Sequence, residues 1–148
     1  LLESHETVNQ KVLFALKKLL SRDIYLLIND SSERSIAHRL AVYLEEQFPD
    51  WCVDCEYNRN GLDKKILDEL KTHTGRKGRT VLPDIVIHHR GTKNNLLVIE
   101  IKKKTSPNDF DLKKLHFYKM QQNLQYQHAL YIGIGVGNKS GQFLLKWI

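Results

Sequence analysis

Only two cysteines, Cys52 and Cys55, occur in this sequence. Their spacing suits a metal ligand pair, but the second cysteine pair of a zinc ribbon is missing. On a strand an offset of three sends the two side chains to opposite faces. Free, buried or half-buried thiols are therefore expected, and a disulfide between them is not. Long apolar runs are also lacking: no stretch approaches the ~20 residues that cross a bilayer. No basic, apolar and small-residue leader opens the chain. Both absences point to a cytoplasmic protein with no membrane partner. The first residue is Leu1 rather than Met, which leaves room for native residues before it. Glycines gather at Gly133, Gly135 and Gly137, yet they form neither GxGxxG nor a Gly-Lys-Ser/Thr loop, so a nucleotide-binding reading is poor. Internal repeats and low-complexity tracts are absent.

What is present reads as one domain over residues 1–148. This length buries a core without disulfides or a structural metal, and 41% hydrophobic with 27% charged residues is ordinary for a globular chain. The formal charge of +6 suits an anionic partner, against the simpler reading of a soluble basic surface. Its distribution says more. Lys71, His73, Arg76, Lys77 and Arg79 crowd a glycine-containing, apolar-poor stretch before Pro83, and Lys102, Lys103 and Lys104 follow one another further on. Arg76, Lys77, Arg79, Lys103 and Lys104 are candidate contacts to a phosphate backbone, salt-dependent and blind to base sequence. The competing reading is a solvated loop.

Helical periodicity opens the chain through Val8, Val12, Leu16, Leu19 and Leu20, and residues 23–28 form a second short helical piece. Residues 1–30 thus read as an N-terminal helical extension. Asn29, Asp30, Ser31 and Ser32 then break the chain and cap a helix from Glu33 to about Gln47. Its apolar stripe is Ile36, Ala37, Leu40, Tyr43, Leu44 and Phe48. Glu33 precedes that stripe by three, four and seven residues, so it stands in the first turn on the apolar side. Favouring the helix dipole is one reason for an acid there, worth ~0.3–1 kcal/mol. A strand over residues 52–58 follows, with Glu56 alternating with Asp54; Glu56 either neighbours a site or pairs with Arg59. Arg34 and His38, one turn apart on the helix flank, either approach a phosphate or stay solvated.

The chemistry gathers in a hairpin. Ile85 to His88 and Leu96 to Ile99 are β-branched, apolar runs, and residues 90–95 between them are turn-rich. Folding about Thr92 and Lys93 sets Asp84 opposite residues 100–102. Glu100 and Lys102 share one face because strand side chains alternate. Opposed Cβ atoms lie ~5 Å apart, so Asp84, Glu100 and Lys102 converge. Two carboxylates with the Ile101 carbonyl make a hard oxygen site suited to Mg²⁺ or Mn²⁺. His88 and His89 fall on the hairpin surface, since four strand residues put ~13 Å between His88 and Asp84. Beyond the hairpin, a helix of about residues 110–125 turns Leu112, Leu115, Tyr118 and Leu124 to the sheet and leaves Lys113, Lys114 and Lys119 outside. Residues 129–134 form a core strand, and 143–148 a closing one.

Pro83 and Asp84 opening one strand, with Glu100 and Lys102 ending the next, resemble the PD-(D/E)XK nuclease superfamily. The order of elements, αβββαβ, is that superfamily's restriction-endonuclease-like core, covering roughly residues 31–136. Residues 32–40, 53–59 and 83–88 look like a poorly characterised bacterial and phage branch of it. The resemblance implies an α/β fold with a mixed central sheet flanked by helices. It gives Glu33 a second reason for its place, since many members carry a first-helix Glu near the metal. Gln122, with Tyr126, is similar to a Gln-xxx-Tyr element of some branches. The implied activity is Mg²⁺- or Mn²⁺-dependent hydrolysis of nucleic-acid phosphodiesters, DNA ahead of RNA. Asp84, Glu100, the Ile101 carbonyl and Glu33 would serve the metal, and Lys102 the chemistry. The rivals are a non-catalytic nucleic-acid-binding module and a protein-interaction subunit. A homodimer or larger complex is compatible with any of these.

Overall fold

The computed structural model describes residues 3–57 and 82–148. Three expected contact residues, Arg76, Lys77 and Arg79, fall outside the described residues, as do Arg59, Lys71 and His73. The N-terminal apolar period folds as α1, His5–Arg22, which buries Val8, Val12, Leu16 and Leu19. A short α2, Ile24–Ile28, follows. Then α3 runs Glu33–Gln47. It starts where it does because the Ser32 hydroxyl accepts the Ser35 N–H at 3.1 Å, which satisfies one of the first turn's orphan donors. Its buried stripe is the one the spacing implies, Ile36, Ala37, Leu40, Tyr43 and Leu44, with Phe48 just beyond.

The strands are β1 Cys52–Cys55, β2 Ile85–His88, β3 Asn95–Lys102, β4 His128–Ile134 and β5 Phe143–Trp147; α4, Asp109–Met120, connects β3 to β4. They form one five-stranded sheet in the order β1-β2-β3-β4-β5. β1, β2 and β3 are antiparallel neighbours. The β3–β4 pair is parallel, which requires the crossover that α4 provides, and β5 returns antiparallel to β4. The result is an α/β fold with a mixed sheet flanked by helices. Ile85, Ile87, Leu97, Ile99 and Ile101 turn to the face shared with α1, α2 and α3. Val86, Val98, Ala129 and Tyr131 turn to the opposite face, under Leu115 and Tyr118 of α4. With helices on both sides, β3 is buried from Asn95 through Ile101. Among the described residues, no helix is long and apolar enough to cross a membrane.

Several local expectations are revised. β1 stops at Cys55 instead of reaching residue 58, because Glu56 adopts a left-handed backbone with φ 49°. α4 ends at Met120, five residues early: the Gln121 side chain accepts the Asn123 N–H at 2.6 Å, and this turn replaces the next helical bond. Leu112 is only half-buried, whereas Lys114 is buried. His88 is not on the hairpin surface; it is fully buried, with Nε2 2.7 Å from Asp54 Oδ2. His89 stacks on Trp51 with ring centroids 4.1 Å apart.

Candidate functional site

The register of the hairpin decides where its charges meet. Ile85 pairs with Ile99, so the next rung sets Asp84 across from Glu100. β2 begins at Ile85, and among the described residues no strand pairs with the edge of β3 beyond Ile99 on that side. Carboxylates meet that edge instead. Asp84 Oδ2 accepts the Ile101 N–H at 2.8 Å, and Glu33 Oε2 accepts the Lys103 N–H at 2.9 Å. A strand residue's N–H and C=O point to the same edge. The Ile101 carbonyl therefore turns to the edge that Asp84 occupies.

Glu33 reaches this edge from the first turn of α3. It lines, with Arg34, Ala37, His38, Cys55, Glu56 and Asp84, a cavity of about 540 Å³ between α3 and the ends of β1 and β2. Glu56 pairs with Arg34 at 3.3 Å. His38 is exposed on the cavity wall. Cys55 is exposed and Cys52 half-buried; both are free thiols. Gln122 lies exposed in the turn after α4, away from this cavity, while Tyr126 packs beside Tyr118.

Glu100 sits below the edge, on the α4 side, completely buried. Lys114 of α4 comes to it: Nζ lies 2.9 Å from Oε2, and both side chains are hidden from solvent. The contact is an ion pair, and neither Glu100 oxygen has a hydrogen-bond partner among the described residues. Burial, followed by the neighbouring Asp84 charge, pushes Glu100 up to about 8, with Lys114 and Lys102 pulling the other way. Asp84 is raised as well, by burial first, against the Ile101 N–H, the Lys114 charge, the Glu100 side chain and Lys102. Each carboxyl group is among the causes of the other's shift, so the two titrate as a pair. Lys102 is half-buried at the end of β3, on the Glu100 face.

Sequence reasoning placed Lys114 outside, and so missed the ion-pair partner of Glu100. The helical period around residues 110–125 offered a signal: Lys114 falls one residue before Leu115 and four before Tyr118, at the border of the apolar stripe. Among the described residues, no three His, Cys, Asp or Glu side chains are clustered as metal ligands. Compared with known proteins, the chain matches no family model, no curated protein and no solved structure.

Proposed function

We propose that this protein is a metal-dependent nuclease of the PD-(D/E)XK type, hydrolysing nucleic-acid phosphodiester bonds, DNA ahead of RNA, on a restriction-endonuclease-like core. The observation that carries the reading is the opposition of Asp84 and Glu100 at the open end of the hairpin. One lines a cavity, and the other is buried with neither oxygen hydrogen-bonded among the described residues. A buried carboxylate pair of this kind costs free energy unless a cation offsets it. Hard oxygen donors suit Mg²⁺ or Mn²⁺, so the residues fit the ion. Asp84, Glu100 and the Ile101 carbonyl would hold it, with Glu33 in support from the cavity wall. When bound, the ion polarises the scissile phosphate and acidifies an attacking water.

The chain's own residues divide the remaining work. Asp84, tied to the Ile101 N–H, has a fixed direction and loses little entropy on meeting a cation. Lys102 orients the attacking water and offsets charge that develops on the phosphorane-like transition state. Arg34 and His38 line the same cavity from α3, where an entering phosphate would meet the Arg34 guanidinium.

Purified protein assayed on single-stranded, duplex, branched and RNA substrates with Mg²⁺, Mn²⁺ or EDTA tests the reading. Cleavage should require the metal, and Lys102→Ala should lower turnover ~10²–10³-fold at unchanged thermal stability. Metal-independent cleavage, or full turnover by the variant, would refute the assignment. One observation favours a second reading, a non-catalytic nucleic-acid-binding module: Lys114 already supplies an internal cation to Glu100. Absence of cleavage together with retained nucleic-acid binding would select it.

A further inference from the structure

The tip of β3 separates two concavities. On one side lies the acid-lined cavity of Glu33 and Asp84. On the other, a cavity of about 290 Å³ opens at the carboxyl ends of β3 and β4, lined by Lys103, Lys104, Thr105, Ser106 and Lys139 together with Gly135 and its neighbour. Crevices beyond the carboxyl ends of parallel strands are the usual ligand positions of α/β sheets. Among the described residues lining it there is no carboxylate; the polar side chains are cations and hydroxyls.

Both walls are held in place. Tyr131 donates its hydroxyl hydrogen to the Lys104 carbonyl at 2.6 Å. Gly133 lets that segment lie directly on β4, since a Cβ there would overlap the Lys104 carbonyl oxygen. Gly135 does the same for the opposite wall: its N–H reaches the Gln142 carbonyl at 2.8 Å, and a Cβ would overlap the Lys139 carbonyl. Lys103 is already committed, with Nζ 2.9 Å from Asp30 and 3.3 Å from the Ser31 carbonyl. Lys104 and Lys139, both exposed, remain to meet a ligand.

We infer that this lysine cavity is a phosphate subsite, which receives a backbone phosphate of the nucleic-acid strand next to the one at Asp84, with Lys139 as a contact that the sequence alone did not nominate. The inference rests on the nuclease reading, because it assigns the second cavity to the same substrate. The strand would pass over the β3 tip from the acidic to the basic concavity. Lys104 and Lys139 neutralise the phosphate, and Thr105 and Ser106 donate hydrogen bonds to its oxygens.

Fluorescence anisotropy of a labelled oligothymidylate, measured in EDTA between about 50 and 200 mM NaCl, tests the subsite. A Lys104→Gln/Lys139→Gln double variant should bind more weakly, and its slope of log K against log salt should shrink by about 1.4, for two phosphate contacts on a single strand. Lys17→Gln/Lys93→Gln removes the same charge from exposed lysines elsewhere and should keep the parent slope. Equal slopes for parent and the cavity variant, or equal losses in both variants, would overturn the subsite and leave the nuclease reading standing. A parent protein that neither binds nor cleaves any nucleic acid would overturn both.

Discussion

Glu100 and Lys114 show how one residue pair sets the character of the site. Removing a single partner from a buried ion pair leaves a charge without compensation, at a typical cost of ~3–5 kcal/mol. Glu100 escapes part of that cost by taking a proton, since burial has already raised it. Lys114→Met is therefore expected to destabilise the protein in EDTA by ~3 kcal/mol or less. Adding Glu100→Gln should return much of the loss. Urea unfolding of the two single variants and the double variant reads the coupling directly. Strict additivity would mean that the 2.9 Å approach contributes nothing.

Among the elements, β1 and β2 are joined by more than their ladder. Asp54 accepts hydrogen bonds from Arg90 through Nε at 2.8 Å and Nη2 at 2.6 Å. It also meets the buried His88. Arg90 chiefly, and then His88, hold the Asp54 carboxyl below its ordinary range, against burial. A carboxyl lowered in the folded state adds stability above its unfolded pKa of ~3.8, and that stability is lost as pH falls through the lower folded value. Asp54→Ala strips His88 of its partner inside the protein and should cost ~1–3 kcal/mol near neutrality. The gap between parent and variant should then narrow below about pH 3.8. Denaturant titrations across that range would show it; a gap unchanged into strong acid would refute the ion pair's contribution.

At the scale of the molecule, one sheet carries two cores. β3 and β4 lie inside it, and their residues reach both cores. β1 and β5 are edges, and β5 is mostly exposed or half-buried. Opening β3 breaks ladders on both sides and uncovers both apolar faces, so its amides should exchange only on global unfolding. Hydrogen exchange followed by mass spectrometry should find the slowest peptides in Leu96–Ile101 and Ala129–Ile134, with β5 faster. Equal protection of β5 would contradict this hierarchy. The same layering explains the position of the candidate site: it lies where β2 begins late and the central strand runs on past its partner.

Much of this was legible locally. The β-branched runs flanking residues 90–95 settle the hairpin, and the position of its turn places Asp84 across from Glu100, because a ladder pairs residues at equal distances from the bend. The stripe from Ile36 to Phe48 likewise defines α3, and puts Glu33 at its inner first turn. Periods of 2 and 3.6 are properties of the chain itself. Lys114 and His88 were not legible, since a charged or titratable side chain is worth burying only if a partner arrives from another element. That partner is Glu100 from β3 for one, and Asp54 from β1 for the other. Nor could periodicity reveal that β3 runs on past its pairing with β2, or that Asp84 and Glu33 accept the Ile101 and Lys103 N–H groups. Those assignments depend on the packing of α3, α4 and the sheet edge, and only the tertiary structure decided them.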